Sequence, residues 1–466
     1  MTNLMQLGLR AAARAVSRRQ VSPVELVEAA LTQVGATNPR LNALLSLSVD
    51  SALASARRVE RAVMARRTVG PLAGIPLSIK DLILTRDAVT TLGSQIVPGG
   101  LPAAVDAPVV ARLRRAGAAI IGKANLHEVA LGVTTVNEHF GPARNPWNPA
   151  RIAGGSSGGS AVAVAVGMGL GSVGTDTRGS IRIPAACCGV VGFKPTYGAV
   201  PSDGVFPLAA SLDHVGPIAR SVEDAALMFG VMAGGRVRLA EVLRAVDRAP
   251  SKPRIGVSEF LLRDLDGEVA RAIEASLREL EKLGARLVAV DIPELEPALE
   301  ASRVIVLAEA ISYHDAMIRK NPKGYGPNLL ARLKGGYRIS GLQLVQAEAV
   351  RLELISAYHS AFQEVDAMIG AVLPVEAPRL SNATLKLGRS RVPLAEGFCR
   401  YNAPQNLTGV PALALPCGMT RAGLPIGLQL IGGWGRDATV LGIGAAYQRV
   451  TDWHTAWPAL AGVQAR

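Results

Sequence analysis

The chain has 466 residues, 49% of them hydrophobic and 19% charged, which provides for a large buried core and excludes a disordered polypeptide. Its longest apolar stretch, Ala161 to Gly174, is broken by glycines and falls short of the roughly 20 residues a membrane helix needs. Lys and Arg outnumber Asp and Glu by 50 to 37. The pairs Arg57-Arg58, Arg66-Arg67 and Arg114-Arg115 nevertheless lie on separate helical patterns without interleaved aromatics, which argues against a nucleic-acid surface.

Residues 3 to 67 read as helices. Ser22-Pro23-Val24-Glu25 is a capping box with proline at the first helical position, and Leu26, Ala29-Ala30 and Val34 continue the pattern. That folded start outweighs the Arg-rich, acid-free first 24 residues, whose composition resembles a transit peptide. No hydrophobic signal core precedes it, so cytoplasm is the expected compartment. Gly74 to Lys80 alternates at strand period, with Ile75, Leu77 and Ile79 on one side and Pro76, Ser78 and Lys80 on the other. The proline points to an edge or irregular strand. Asp106 to Ala116 reads as a helix capped by Gly117, and Ala118 to Ile121 as a buried strand. The order recurs with the helix face Val269, Ile273, Leu277 and Leu280, the stop at Gly284 and the strand Arg286 to Val290. Helices followed by short apolar strands predict an α/β layered fold. Residues 235–253 read as a basic connection and subdomain seam, and 315–345 and 374–397 as loops able to act as lids.

Four cysteines, two of them adjacent, make neither a disulfide framework nor a C-x-x-C zinc motif, and the six histidines contain no H-E-x-x-H. No metal and no organic cofactor is expected. Cys187 and Cys188 read as small core residues, His127 and His214 as structural, and Glu309 with His314 as candidate neighbours of a pocket. Three familiar patterns are rejected. Gly117-x4-Gly122-Lys123 lacks the Ser/Thr of a phosphate loop and its interior reads as strand. Gly169-x-Gly171-x-x-Gly174 lacks the acidic residue about 20 positions on that a dinucleotide site uses. Gly154-Gly155-Ser156-Ser157-Gly158 satisfies G-x-S-x-G, but Pro146-Trp147-Asn148-Pro149 precludes the strand a nucleophile elbow needs.

Residues 141–220 are dense in Gly, Ser and Pro, as where backbone must approach something closely. Gly154-Gly155-Ser156-Ser157-Gly158-Gly159-Ser160 is followed by Gly174-Thr175-Asp176-Thr177-Arg178-Gly179-Ser180-Ile181-Arg182-Ile183-Pro184. Gly74-Ile75-Pro76-Leu77-Ser78-Ile79-Lys80-Asp81 stands upstream. The set closely resembles the amidase signature family of serine hydrolases. The likeness spans about residues 70–225 and returns in Asn406-Leu407-Thr408-Gly409-Val410-Pro411-Ala412 and in Gly423-Leu424-Pro425-Ile426-Gly427-Leu428-Gln429.

That resemblance implies an α/β fold with a mixed central sheet covered by helices on both sides, in one domain over 1–466. Within it lie N-terminal helices (1–67), a signature core (70–225), a helical and loop substrate region (254–400) and a C-terminal part returning to the core (401–466). It implies a Ser–cis-Ser–Lys triad: Lys80, then Ser156 preceded by a cis peptide, then Ser180 as nucleophile. Backbone of Thr177, Arg178, Gly179 and Ser180 would form the oxyanion hole. Ser157 and Asp176 would hold the loops, and Arg182 would anchor Asp176 or another buried carboxylate. The family usually has glycine where Arg178 stands. An arginine there is either strained, if positive φ is required, or turns its side chain into the pocket or toward an acidic neighbour, and would help keep Lys80 uncharged.

The chemistry can also be read from the residues. A serine hydroxyl needs an adjacent base, and no histidine lies between 142 and 213. A lysine serves only when neutral, so its pKa must fall from about 10.4. Ile79, Leu82, Ile83 and Leu84 suit that desolvation. From the residues alone, an ion pair of Lys80 with Asp81 or a distant carboxylate is the plainer reading; the motif favours catalysis. The expected substrates are small aryl or aliphatic amides, with esters and carbamates reacting through the same acyl-enzyme. No nucleic-acid or membrane partner is expected, and a homodimer is the candidate assembly. Three rivals stand. One is the glutamine-hydrolysing A chain of a tRNA amidotransferase, whose amino-group-binding acidic residue falls near Cys399 here. The others are an α/β-hydrolase-type esterase using Ser156 or Ser157 with a histidine, and a non-catalytic RNA-associated amidotransferase component.

Overall fold

The computed structural model describes residues 4–248 and 250–462. Its centre is an eleven-stranded mixed sheet. In chain order its strands are β1 (Leu44–Leu47), β2 (Pro76–Lys80), β3 (Ala119–Ala124), β4 (Gly171–Asp176), β5 (Val191–Lys194), β6 (His214–Ala219), β7 (Arg254–Val257), β8 (Arg286–Ala289) and β9 (Ala367–Ala371). A separate hairpin, β10 (Thr384–Leu387) and β11 (Ser390–Pro393), precedes β12 (Ala412–Met419) and β13 (Pro425–Ile431). The sheet order is β1-β3-β2-β4-β6-β5-β12-β13-β9-β7-β8. β3, β2 and β4 run parallel, as do β9, β7 and β8, and antiparallel pairs join the two sets.

The alternation in β2 sorts its side chains. Leu77 and Ile79 enter a core formed with the helices Leu9–Ser17, Pro108–Arg115, Val222–Ala233 and Asp437–Val450. A second core gathers the helices Gly158–Ala165 and Arg182–Cys188, including Cys187 and Cys188. A third joins the helices Ala298–Lys320, Pro327–Lys334 and Gly341–Glu364 to Leu82, Leu92 and Leu126.

Several expectations hold in detail. Ser22 Oγ accepts from the Val24 and Glu25 N–H groups at 3.0 and 3.3 Å, opening the helix Pro23–Leu41. Gly117, with φ +98°, ends the helix before β3. The rejected glycine patterns fall on β3 and β4, and no strand precedes Ser156 in the way an elbow requires. Among the described residues no helix is long and apolar enough to cross a membrane.

Others need correction. β2 is not an edge strand but an interior one, paired on both sides, although irregular: its register against β3 shifts between Leu77 and Ser78. Pro76 is its first residue and its carbonyl still accepts from Leu170 N–H at 3.0 Å, so the missing donor costs the ladder little. The N-terminal region contains the short edge strand β1, with only Leu44 buried, too brief to show a period. Residues 315–345 are largely helical. The helix Ala298–Lys320 carries buried residues around much of its circumference, and Ser340 with Gln343 forms a capping box for the next long helix. Residues 374–397 contain the β10–β11 hairpin, and 235–253 contain a helix, Leu239–Asp247, packed on its neighbours.

Two glycine substitutions test this packing. A Cβ on Gly122 would lie 2.1 Å from the Ser46 carbonyl oxygen, whereas one on Gly35 meets nothing within 4 Å. Gly122→Ala is therefore expected to lower the melting temperature. Gly35→Ala, at an exposed position of the helix Pro23–Leu41, is expected to raise it, by a stability gain of about 0.5–1 kcal/mol. Thermal unfolding of the two variants checks both signs.

Candidate active site

Lys80 is the last residue of β2 and Asp176 the last of the parallel neighbour β4, so both stand where α/β sheets carry their ligands, at the carboxyl ends of strands. Lys80 Nζ lies 2.8 Å from Ser156 Oγ and 2.7 Å from Thr175 Oγ1. Lys80 and Ser156 are fully buried; Ser180 retains 6% exposure. Burial lowers the Lys80 pKa to about 7, against the pull of Asp213 and Asp176. The ion pair with Asp81, the plainer reading of the residues without the motif, does not form. Asp81 lies 3.5 Å from Lys123 and accepts the Thr91 hydroxyl.

The Gly155–Ser156 peptide is cis. A Cβ on Gly155 would come within 2.7 Å of the Thr134 nitrogen, so only glycine fits beside that backbone. Ser157 joins the serine segments: its N–H donates to the Ser180 carbonyl at 3.1 Å, and its hydroxyl donates to the Thr175 carbonyl at 3.1 Å. The hydrogen bonds of Lys80 end at Ser156 and Thr175, and none among the described residues reaches the Ser180 hydroxyl.

Asp176 folds the loop before Ser180. Its carboxylate accepts from Gly179 N–H at 2.7 Å and Ile181 N–H at 3.1 Å, and takes two bonds of 3.0 Å from Arg182. Burial would raise its pKa, but Arg182 holds it well below the usual carboxylate range. Arg182 also donates to Gln405, Gln429, Asn406 and the Asn402 carbonyl. The C-terminal segments thus reach the loop through this guanidinium. Of the four proposed oxyanion residues, Gly179 differs: its N–H is already given to Asp176. No hydrogen bond among the described residues engages the N–H groups of Thr177, Arg178 or Ser180.

Arg178 is not strained. The positive φ of this loop falls on Gly179, at +110°, where a Cβ would meet Asn402 Cβ at 2.6 Å. The Arg178 side chain reaches the Leu299 carbonyl at 3.4 Å. Its charge acts on Glu300 and Arg332, and burial is what lowers the Lys80 pKa, so the expected help from Arg178 in keeping Lys80 neutral is not seen.

Sequence reasoning missed Thr175 and Asp213. Asp213 accepts the Thr177 hydroxyl at 2.5 Å and the Leu208 and Ala209 N–H groups, while burial lifts its pKa to about 6. A cavity of about 270 Å³ reaches it, bordered by Thr175, Phe206, His214 and Tyr313. Nothing in the residues around Asp213 signalled this role, because its side-chain partner, Thr177, lies 36 residues away. His127 donates its N–H to the Ser156 carbonyl at 3.0 Å, but its ring faces Thr134, and burial followed by the charges of Arg332 and Lys80 drives its pKa to about 3. His214 Nδ1 lies 2.7 Å from the Leu212 carbonyl. Glu309 accepts the Ser211 hydroxyl and influences Asp213, whereas His314 pairs with the Tyr325 hydroxyl at 2.9 Å.

The chain is similar to known proteins along nearly its whole length. The family model described as Amidase matches residues 25–441. The glutamyl-tRNA(Gln) amidotransferase A chain of Roseiflexus sp. (strain RS-1) is 39% identical over 99% of both proteins. A crystal structure of an amidase superposes with a TM-score of 0.88 at 38% identity, covering 95% of this chain and 99% of that one. A bacterial aryl acylamidase of the amidase signature family superposes with a TM-score of 0.89 at 26% identity, covering 98% and 99%. The chain belongs to the amidase signature family.

The Asp176–Arg182 pair yields a stability prediction. Arg182→Gln leaves a buried carboxylate without its cation and is expected to cost about 3–5 kcal/mol. Urea unfolding of the variant would show it; a loss below about 1 kcal/mol would mean that the surrounding amides alone hold Asp176.

Proposed function

We propose that this protein hydrolyses carbon–nitrogen acyl bonds of small amides through an acyl-enzyme on Ser180. The observation that carries the proposal is the buried Lys80–Ser156 contact of 2.8 Å, with the lysine pKa brought to about 7. A neutral amine at Lys80 has a lone pair for the Ser156 hydroxyl proton while its N–H donates to Thr175. Ser180 Oγ attacks the carbonyl carbon; its proton passes to Ser156 Oγ as that of Ser156 passes to Lys80. The N–H groups of Thr177, Arg178 and Ser180 receive the developing oxyanion, a contribution that is commonly the largest in acyl transfer. Collapse breaks the C–N bond, and the proton returns through Ser156 to the departing amine. Water then attacks the ester by the same route and releases the acid. Esters and carbamates follow the same path.

The relatives named as amidotransferase components favour a second reading, a glutamine-hydrolysing chain that works with partner chains. Against it, the position expected to hold the acidic residue for the glutamine amino group is Cys399, which is buried. A histidine-dependent esterase is disfavoured, since the nearest histidine by chain contact, His127, turns its ring to Thr134.

Ser180→Ala is expected to abolish turnover of anilides, primary amides and esters, and mass spectrometry of wild type quenched with a slow ester should find the acyl group on Ser180. Single replacement of each histidine should leave the adduct in place. An acyl group found on Ser156 or Ser157 would overturn the assignment. Turnover of amides by the isolated chain, with glutamine no better than a simple primary amide, separates it from the amidotransferase reading.

A further inference from the structure

The cavity beside Asp213 is acidic in a chain whose net charge is positive. It encloses about 270 Å³. Asp203, Ala210 and Tyr313 line it from exposed positions, where it opens to solvent; Asp213, His214 and Thr175 line it on the side of the candidate site. None of the described residues lining it is a lysine or an arginine, although the chain has 50 of them.

The inner residues offer acceptors and lack a donor. Asp213 takes the Thr177 hydroxyl at 2.5 Å on Oδ1, and the Leu208 and Ala209 N–H groups at 2.9 and 3.1 Å on Oδ2. An ionised carboxylate has about four acceptor sites, so capacity remains on Oδ1. His214 donates its Nδ1–H to the Leu212 carbonyl at 2.7 Å, which leaves a lone pair on Nε2. That Nε2 is buried without a hydrogen-bond partner, and burial holds the ring neutral. A buried acceptor without a donor is costly, and a ligand that supplies one removes the cost. The rings of Phe206 and Tyr313 also line the cavity, and aromatic faces attract cations. The complementary ligand is a positively charged N–H donor. Potassium and sodium ions have no proton for Nε2, and an anion would meet only carboxylates.

We propose that this cavity binds a short primary alkylammonium ion, with its N–H groups given to Asp213 and His214 Nε2 and its charge between the rings of Phe206 and Tyr313. Asp203, exposed beside the opening, attracts the ion from solvent. The site is separate from Ser180, which does not line the cavity. Thr175 connects the two, because it lines the cavity and its Oγ1 accepts from Lys80 Nζ at 2.7 Å. A cation held beside Thr175 opposes a second positive charge on Lys80 and so favours the neutral base. The amine released from an N-alkyl amide is then itself an effector. This coupling rests on the role proposed above for Lys80; the binding of the ion does not.

The test uses ethylammonium chloride as the probe and tetramethylammonium chloride, a cation without an N–H, as the control at equal ionic strength. Saturation-transfer NMR on the full chain should show ethylammonium bound with a Kd of about 1–10 mM, and tetramethylammonium bound about tenfold more weakly or not at all. Asp213→Asn should weaken ethylammonium binding by about tenfold. Ala210→Trp, which fills the opening from an exposed position and leaves the Thr177 contact alone, should do the same and serves where Asp213→Asn does not fold. In the wild type, ethylammonium should also raise the rate of acylation by an activated ester about twofold at pH 6.5, below the Lys80 midpoint, and should not do so in Ala210→Trp. Equal binding of the two cations, binding unchanged in Ala210→Trp, or no ethylammonium signal would overturn the proposal. Ethylammonium binding of the expected pattern in a protein that acylates with no ester would sustain the site and refute the proposed hydrolysis.

Discussion

An amine with no water around it is the constraint on which the site depends. Lys80 is fully buried, and bringing its pKa from 10.5 to about 7 corresponds to roughly 5 kcal/mol of preference for the neutral form. Desolvation succeeds because the neighbouring carboxylates are otherwise occupied. Asp81 is turned to Lys123 and Thr91, Asp176 is held by Arg182, and Asp213 takes Thr177 and two backbone N–H groups. An uncommitted carboxylate at any of these positions would draw the proton back. The arrangement weighs on stability in a definite direction. The unfolded chain binds one more proton than the folded chain between pH 7 and 10.5, so the penalty from Lys80 is full below that window and fades as pH rises through it.

The second element of the design is the Asp176–Arg182 pair. It is buried completely, and breaking it would strand a charge, yet its value lies in what it joins. Asp176 spends the N–H groups of Gly179 and Ile181 on shaping the turn, which leaves those of Thr177, Arg178 and Ser180 for a ligand in the proposed reaction. Arg182 gathers Asn402, Gln405, Asn406 and Gln429, so that the C-terminal segments, where the family likeness returns at Asn406 and Gln429, are tied directly to the glycine-rich centre. Strands from the first and second halves of the chain meet at β5 and β12, and this guanidinium joins the same two halves at the level of the site.

Much of this was legible in the sequence. The alternation of Ile75, Leu77 and Ile79 placed Lys80 on the opposite side of its strand, and the glycine density around Ser156 marked the close approach that Gly155 requires. The helices of residues 298–364 were not legible between 315 and 345. They pack on several sides, so their apolar residues form no single stripe, and short glycine-containing turns between them resemble loops. Pro76 misled because a proline at the first position of a strand and one in its middle look alike without knowledge of where the strand begins. Thr175 and Asp213 were missed because their roles arise from partners far away in sequence, Lys80 and Thr177. Arg178 was noticed as a departure, but its backbone proved ordinary, the positive φ falling on Gly179.

The central claim is that Lys80, neutral near pH 7, takes the proton in acylation. The direct measurement is the pre-steady-state rate of acylation by an activated ester across pH 5 to 10, in wild type and in Lys80→Ala. The account predicts a one-proton rise with its midpoint at about 7 in the wild type and no such limb in the variant. A midpoint close to that of an ordinary lysine, or the same rise surviving in Lys80→Ala, would contradict it.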